Sequence, residues 1–221
     1  MKLITFHFAG GNQYSFSKIF KGHTNNHIPF ALQRDTDDLD LNEAIHNFLL
    51  DINEKIFKNS PYVIYGHSMG ALIGYLICQK LQEDDLPMPQ KLIISGKKAA
   101  SIPREKKLAH LSDNEFWNEI LTLGGIPDEM QNYPELIEYY LPILRHDFKL
   151  VENYQYEKKS KLNIPIDVFY GSEESTEEEM LGWQNETTEK VTITKLEGNH
   201  FFIFNHVEYF RNYFDNLIHQ K

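Results

Sequence analysis

A chain of 221 residues can bury one sizeable core and is short for two, and its 41% hydrophobic and 13% aromatic content is that of a globular protein, not a disordered one. Its 22 Lys and Arg against 32 Asp and Glu leave a formal net charge of −10, which argues against general binding of nucleic acid or of anionic lipid, since both need basic surface. The single cysteine, Cys78, excludes an intramolecular disulfide and a cysteine zinc cluster, and its helical spacing from Leu72 and Leu81 suits a packed core thiol.

The chain begins "MKLITFHFAGG", whose apolar run is interrupted by His7, too short for a signal h-region and without a small-x-small cleavage site. No stretch approaches the roughly 18 apolar residues of a membrane span, so the expectation is a cytoplasmic protein with no membrane partner. Strand-like runs follow at 2–8, 28–32, 62–65, 91–95, 164–170 and 191–196. Between the second and third, Leu41, Ile45, Phe48, Leu49, Ile52 and Ile56 recur at helical spacing. Residues 69–82 and "VEYFRNYFDNLIHQ" read as two more helices. Alternation of this kind predicts an α/β fold, a mostly parallel sheet with helices on both faces.

From about 104 to 160 the alternation stops and only helical segments appear. Ser112 with Glu115 has capping-box spacing, and the helix it opens should stop at Gly124-Gly125. The next apolar pattern, "NYPELIEYYLPILRHDFKLVENY", is interrupted by Pro142. An excursion of this size before the last two strands is read as a lid over the sheet's C-terminal edge, where ligands bind in such sheets. The whole chain, 1–221, is then one domain.

The chemistry centres on "YVIYGHSMGALIGYL" (62–76), in which G-x-S-x-G follows a predicted strand and opens a predicted helix. That context is the condition for a nucleophile elbow: the turn strains the serine, and side chains at Gly66 or Gly70 would clash with neighbouring backbone. Ser68 needs a base, and His200 in "KLEGNHFFIF" follows the last strand, beside Phe201 and Phe202. His7, His23, His27, His46, His67, His110, His146, His206 and His219 are the competitors, most of them in helix or loop without a matching acid. His67 adjoins Ser68 but should point away from it.

The acid should lie between Ser68 and His200 in the chain. The loop "GSEESTEEE" offers Glu174, three residues past Gly171, or Glu173, whereas Glu177, Glu178 and Glu179 read as solvated charges opening a helix. Asp147 also satisfies the order, but it falls in the helical excursion, with Arg145 or a helix end as its expected partner. Oxyanion donors would be the amide of Met69, at the helix N-terminus, and one from the "FHFAGGN" loop, Ala9 first and Gly10 second. No phosphate loop fits these glycines.

Together "FHFAGG", "GHSMGALIGY", "SGKKAASIP", "LSDNEFWNEILTLGGIPDEM", "PELIEYYLPILRHDF" and "LEGNHFF" resemble the type II thioesterases of nonribosomal peptide and polyketide assembly lines, over nearly the whole chain and in matching order. The segment from Pro142 to Asp147 is more specific than the elbow, which all α/β-hydrolases share. The resemblance implies an α/β-hydrolase fold and release of aberrant or stalled acyl groups from the phosphopantetheine thiol of acyl or peptidyl carrier proteins. It implies Ser68 as nucleophile, His200 as base, and Met69 and Ala9 as oxyanion amides, with no metal and no cofactor. Two departures stand out. The family's proline-glycine-arginine turn is replaced by "FALQRDTDDLD", and its aspartate in a G-x-x-D loop by Glu174. Phe116, Trp117, Ile120, Leu121, Tyr139 and Tyr140 are candidates to line the acyl site, and Lys97, Lys98, Arg104, Lys106 and Lys107 to meet an acidic carrier. A monomer is the default expectation. A general carboxylesterase and a catalytically inactive binding module are the competing readings.

Overall fold

The computed structural model describes residues 1–22, 26–34, 40–56, 60–126 and 128–219. Six strands form one sheet: β1 (Lys2–Phe6), β2 (His27–Phe30), β3 (Tyr62–His67), β4 (Leu92–Ser95), β5 (Ile166–Gly171) and β6 (Val191–Leu196), in the order β2-β1-β3-β4-β5-β6. Every pairing is parallel, so all six C-terminal ends share one edge. β3, β4 and β5 are buried throughout, as continuous Val/Ile/Leu-rich runs covered on both faces must be.

Helices α1 (Leu41–Ile56) and α2 (Met69–Glu83) cover one face. The α1 periodicity buries Leu41, Ile45, Phe48, Leu49 and Ile52, as its three- and four-residue spacing requires. The other face packs Phe16, Ile19 and Phe20 together with Phe210, Phe214 and Leu217 of the C-terminal helix, Val207–His219. Cys78 is a fully buried thiol in the α2 core, and burial pushes it far above the ordinary thiol range.

Between β4 and β5 lie α3 (Asp113–Leu123), a 3-10 turn (Asp128–Asn132) and α4 (Pro134–Glu152). Ser112 and Glu115 form the reciprocal capping box, and Gly124 ends α3 in the left-handed conformation. α4 runs straight past Pro142 rather than stopping there: the proline forfeits one backbone hydrogen bond, and the apolar face buried by Leu144, Phe148 and Leu150 holds the helix together. This insertion has its own small core of Leu108, Phe116, Trp117, Ile120, Leu144 and Phe148. The chain reverses its direction of growth between β1 and β3, and the loops leaving those two strands flank the crevice where open parallel sheets bind ligands.

Candidate active site

β3 runs to His67, two residues beyond the sequence reading, and α2 starts at Met69, so Ser68 alone makes the turn. It does so at φ 56° and ψ −114°, a conformation costly for a residue with a Cβ. Its neighbours must be glycine. A Cβ on Gly70 would sit 1.9 Å from the Phe6 carbonyl oxygen, and one on Gly66 2.1 Å from that of Gly70. The strain thus projects Ser68 Oγ from the sheet edge above the first turn of α2.

His200 lies four residues past Leu196, the last residue of β6, in the loop leaving that strand, and its Nε2 is 2.9 Å from Ser68 Oγ. Its Nδ1 is 2.6 Å from Glu174 Oε2. A carboxylate can only accept, so Nδ1 carries the proton and Nε2 offers its lone pair to the Ser68 hydroxyl. Glu174 is itself aimed: Gly171 N–H donates to Oε1 at 3.0 Å, and Glu174 N–H donates back to Gly171 O at 3.2 Å. Of the three acids open from the sequence, Glu174 is the one the structure brings to His200. Glu173 uses its amide on Gly198 O and lines the crevice without reaching the imidazole. Asp147 is buried elsewhere, and its partner is Arg34 rather than Arg145, at 2.6 Å. Arg145 is occupied by the carbonyls of Ala109 and Leu111, by Asp113 and by the Phe116 ring.

Met69 and Ala9 line the same crevice as Ser68, and neither amide has an acceptor among the described residues. Gly10 is removed as a donor, because its N–H is given to Asp147 Oδ2 at 2.8 Å. His67 does point away from Ser68: its Nδ1 is 2.9 Å from Ser95 Oγ, in a chain continued by the Tyr65 hydroxyl. The ring nevertheless stands 5.0 Å from that of His200, and burial, with repulsion from His200 whenever that ring is protonated, holds His67 well below the usual histidine range and neutral. Phe201 packs edge-on against His200 at 5.2 Å, whereas Phe202 turns into the core. Among the other histidines, His7 bridges Phe8 O and Leu32 N, His27 meets Thr5, and His146 lies 3.2 Å from Asp147. His23 lies outside the described residues.

Two cavities meet at Ser68 and His200. One, of about 510 Å³, is apolar and lined by Phe8, Ile120, Ile126, Met130, Tyr140, Leu144 and Phe201. Ile120 and Tyr140 were legible as lining, but Phe116, Trp117 and Leu121 pack inside the insertion and Tyr139 is exposed. The other, of about 490 Å³, has a mixed polar and apolar lining and is bordered by Lys97, Lys98, Arg104 and Lys106. Lys98 is paired with Glu179 and Glu105, Lys106 with Glu119, and Arg104 lies over the Phe148 ring. The Lys97 ammonium has no hydrogen-bond or ion-pair partner among the described residues, and burial followed by the charges of Arg104 and Lys98 lowers its pKa to about 8. A larger cavity of about 640 Å³, between α2 and α4, reaches neither Ser68 nor His200.

Gramicidin S biosynthesis protein GrsT of Aneurinibacillus migulanus is 32% identical over 66% of the chain and 58% of its own length, so the match spans less than two thirds of that relative. The medium-chain S-acyl fatty acid synthase thioesterase of Rattus norvegicus is 26% identical over 91% of the chain and 81% of its own. The solved structure of YbtT, a type II thioesterase from the yersiniabactin pathway, superposes with a TM-score of 0.83 at 25% identity, covering 98% of this chain and 91% of that one. A family profile described as a thioesterase domain matches residues 1–217, and the chain belongs to the thioesterase family.

Proposed function

We propose that this protein is a type II thioesterase that hydrolyses acyl thioesters from the phosphopantetheine arm of acyl or peptidyl carrier proteins. The observation that carries the reading is the Ser68–His200–Glu174 array at the junction of an apolar and a cation-bordered cavity. An apolar chamber suits the acyl group, and the mixed, cation-bordered one suits an arm that carries both amides and methylenes. The names of the relatives in peptide and fatty-acid synthesis support the same substrate class.

In the proposed reaction, Ser68 Oγ forms a bond to the thioester carbonyl carbon while its proton passes to His200 Nε2. The carbonyl π pair moves onto oxygen, held by the Met69 and Ala9 amides at the positive end of α2. The carbon–sulfur bond then breaks, and the proton on Nε2 leaves with the thiolate as the pantetheine thiol. Water next attacks the Ser68 ester, giving its proton to the same nitrogen, and collapse restores the Ser68 hydroxyl and frees the acid. Glu174 keeps Nδ1–H in place throughout and balances the imidazolium. The insertion acts as the lid of the acyl chamber.

Incubation with an acylated carrier protein, followed by intact mass, tests the reading. Loss of the acyl mass with wild type and its retention with Ser68→Ala are expected. Rapid cleavage of simple oxyesters with an untouched acyl-carrier would replace the thioesterase by a general carboxylesterase. Failure of a fluorophosphonate to label Ser68 would leave a binding module.

A further inference from the structure

The Ala9 amide can serve an oxyanion only if its peptide plane is fixed, and three side chains from distant parts of the chain fix it. Ala9 N–H belongs to the Phe8–Ala9 peptide. The carbonyl of that peptide accepts from His7 Nδ1 at 2.7 Å and from Gly11 N–H at 2.9 Å. In a trans peptide the N–H points opposite to the C=O, so anchoring Phe8 O on one side turns Ala9 N–H towards the other. His7 is buried and doubly bound: its Nε2 accepts from Leu32 N–H at 3.0 Å, which leaves Nδ1 as the protonated nitrogen that donates to Phe8 O.

The next peptide is held from the insertion. Gly10 N–H donates to Asp147 Oδ2 at 2.8 Å, and the fully buried Asp147 carboxylate takes a two-pronged bond from Arg34, Nε to Oδ1 at 2.9 Å and Nη2 to Oδ2 at 2.6 Å. The same Nη2 donates to Gly11 O at 3.0 Å. Leu144, one turn before Asp147 on α4, closes the space: a Cβ at Gly10, which has φ +76°, would lie 2.6 Å from its Cδ2. His146 Nδ1 lies 3.2 Å from Asp147 Oδ1 and completes the polar surroundings of that carboxylate.

We propose that Asp147, Arg34 and His7 are positioning residues that set the oxyanion donor Ala9 N–H, with Asp147 making that donor depend on the seating of α4. The buried pair is aimed at a catalytic loop and not at the bulk of the fold. Its loss shifts a transition-state donor without touching the substrate's ground-state contacts, so the effect falls on kcat rather than KM. The inference rests on acyl transfer at Ser68 but not on the carrier as acyl donor.

The test uses the full chain and a short acyl thioester. Asp147→Asn with its oxygen kept towards Gly10 N–H and Arg34 Nη2 turns its NH₂ against Arg34 Nε and loses the charge that holds the fork, so kcat is expected to fall on the order of 10–100-fold with KM within about threefold. Affinity for an alkyl boronic acid, whose tetrahedral Ser68 adduct places an oxygen at the oxyanion position, should fall by a similar factor. Affinity for an unreactive thioether analogue should not change. Arg34→Lys, which keeps the charge but loses the fork, and His7→Gln should give smaller losses of the same kind, and they carry the test if Asp147→Asn does not fold. Lys91→Met removes a part-buried ion pair with Asp167, 2.8 Å long and remote from the loop, and should lower Tm with kcat intact. Variants at Asp147, Arg34 and His7 that lose Tm as Lys91→Met does, yet keep wild-type kcat and boronate affinity, would overturn the proposal. Turnover surviving in Ser68→Ala would instead overturn acyl transfer at Ser68, whatever the Asp147 variants do.

Discussion

Replacing Glu174 by glutamine separates an orienting acid from a mere neighbour of His200, because the surrounding hydrogen bonds dictate how the amide must lie. Gly171 N–H donates to Glu174 Oε1, so a glutamine keeps its oxygen there and turns its NH₂ towards His200 Nδ1. Two donors cannot face each other, and the imidazole answers by moving its proton to Nε2. Nε2 then has no lone pair for the Ser68 hydroxyl, 2.9 Å away, and the base is gone in the resting tautomer. The carboxylate that balances the imidazolium is lost as well, from a side chain only 12% exposed. Loss of both functions in a Ser-His-acid array costs on the order of 10⁴ in kcat, or about 5.5 kcal/mol of barrier. Thiol release from a short acyl thioester, measured under saturating substrate with circular dichroism as a folding control, reads this directly. Glu174→Asp, one methylene too short to reach both Gly171 and His200, should lose about 10–100-fold. A glutamine variant within tenfold of wild type would refute the role of Glu174 and return Glu173 to consideration.

The strain at Ser68 predicts that Ser68→Gly is more stable than Ser68→Ala. Relief of a positive φ, about 1–3 kcal/mol, outweighs the extra unfolded-state entropy of glycine, about 0.4–1 kcal/mol, and a gain of about 2–4 °C in Tm is expected; equal Tm values would contradict it. Lys97 has a folded pKa of about 8, below its ordinary value of 10.5, so the unfolded chain binds more protons between these values and stability from this group rises with pH across that window. Lys97→Met should therefore stabilise the protein at pH 7 by on the order of 2 kcal/mol, with the difference from wild type shrinking towards pH 10. A difference independent of pH in urea titrations would show that Lys97 is not held uncompensated. In the apolar chamber, Ile126→Trp should cut turnover of octanoyl thioesters at least tenfold while sparing acetyl, and parallel losses for both would place the acyl group elsewhere.

The elbow was legible because strand, Gly66, Ser68, Gly70 and helix lie within one short stretch, although only the Gly66 collision is with backbone of that stretch, and a Cβ at Gly70 would meet the Phe6 carbonyl of β1. His200 was legible from its place after the last strand. The acid was harder. Glu173 and Glu174 are adjacent, and only the turn in which Glu174 bonds to Gly171 decides which carboxylate reaches Nδ1. Asp147 was placed correctly on a helix but given the wrong partner, since Arg145, two residues away, cannot face the same side of α4, whereas Arg34 approaches from β2 across the crevice. No periodicity in the sequence connects positions 7, 34 and 147. Lys97, Lys98, Arg104, Lys106 and Lys107 read as one basic cluster, and the structure splits it by pairing Lys98 and Lys106 with carboxylates.

The insertion touches both catalytic loops, and this constrains how an acyl group gets in. Leu144 and Asp147 of α4 rest on the Gly10 loop, while the end of α3 rests on the base loop: a Cβ at Gly124 would lie 2.1 Å from Asn199 Nδ2, and one at Gly125 2.4 Å from the Phe201 ring. Swinging α3 and α4 away as a unit would break a buried carboxylate from its amide and its guanidinium, which costs several kcal/mol when a partner is left unpaired. The cation-bordered cavity needs no such break, because Lys97, Arg104 and Ser68 already line the same opening. Admission of the arm through that cavity, with the insertion seated, keeps Ala9 N–H and His200 in place at the moment the carbonyl arrives. A cover that also aligns the oxyanion loop is then favoured over one that must open and re-form the site in every turnover.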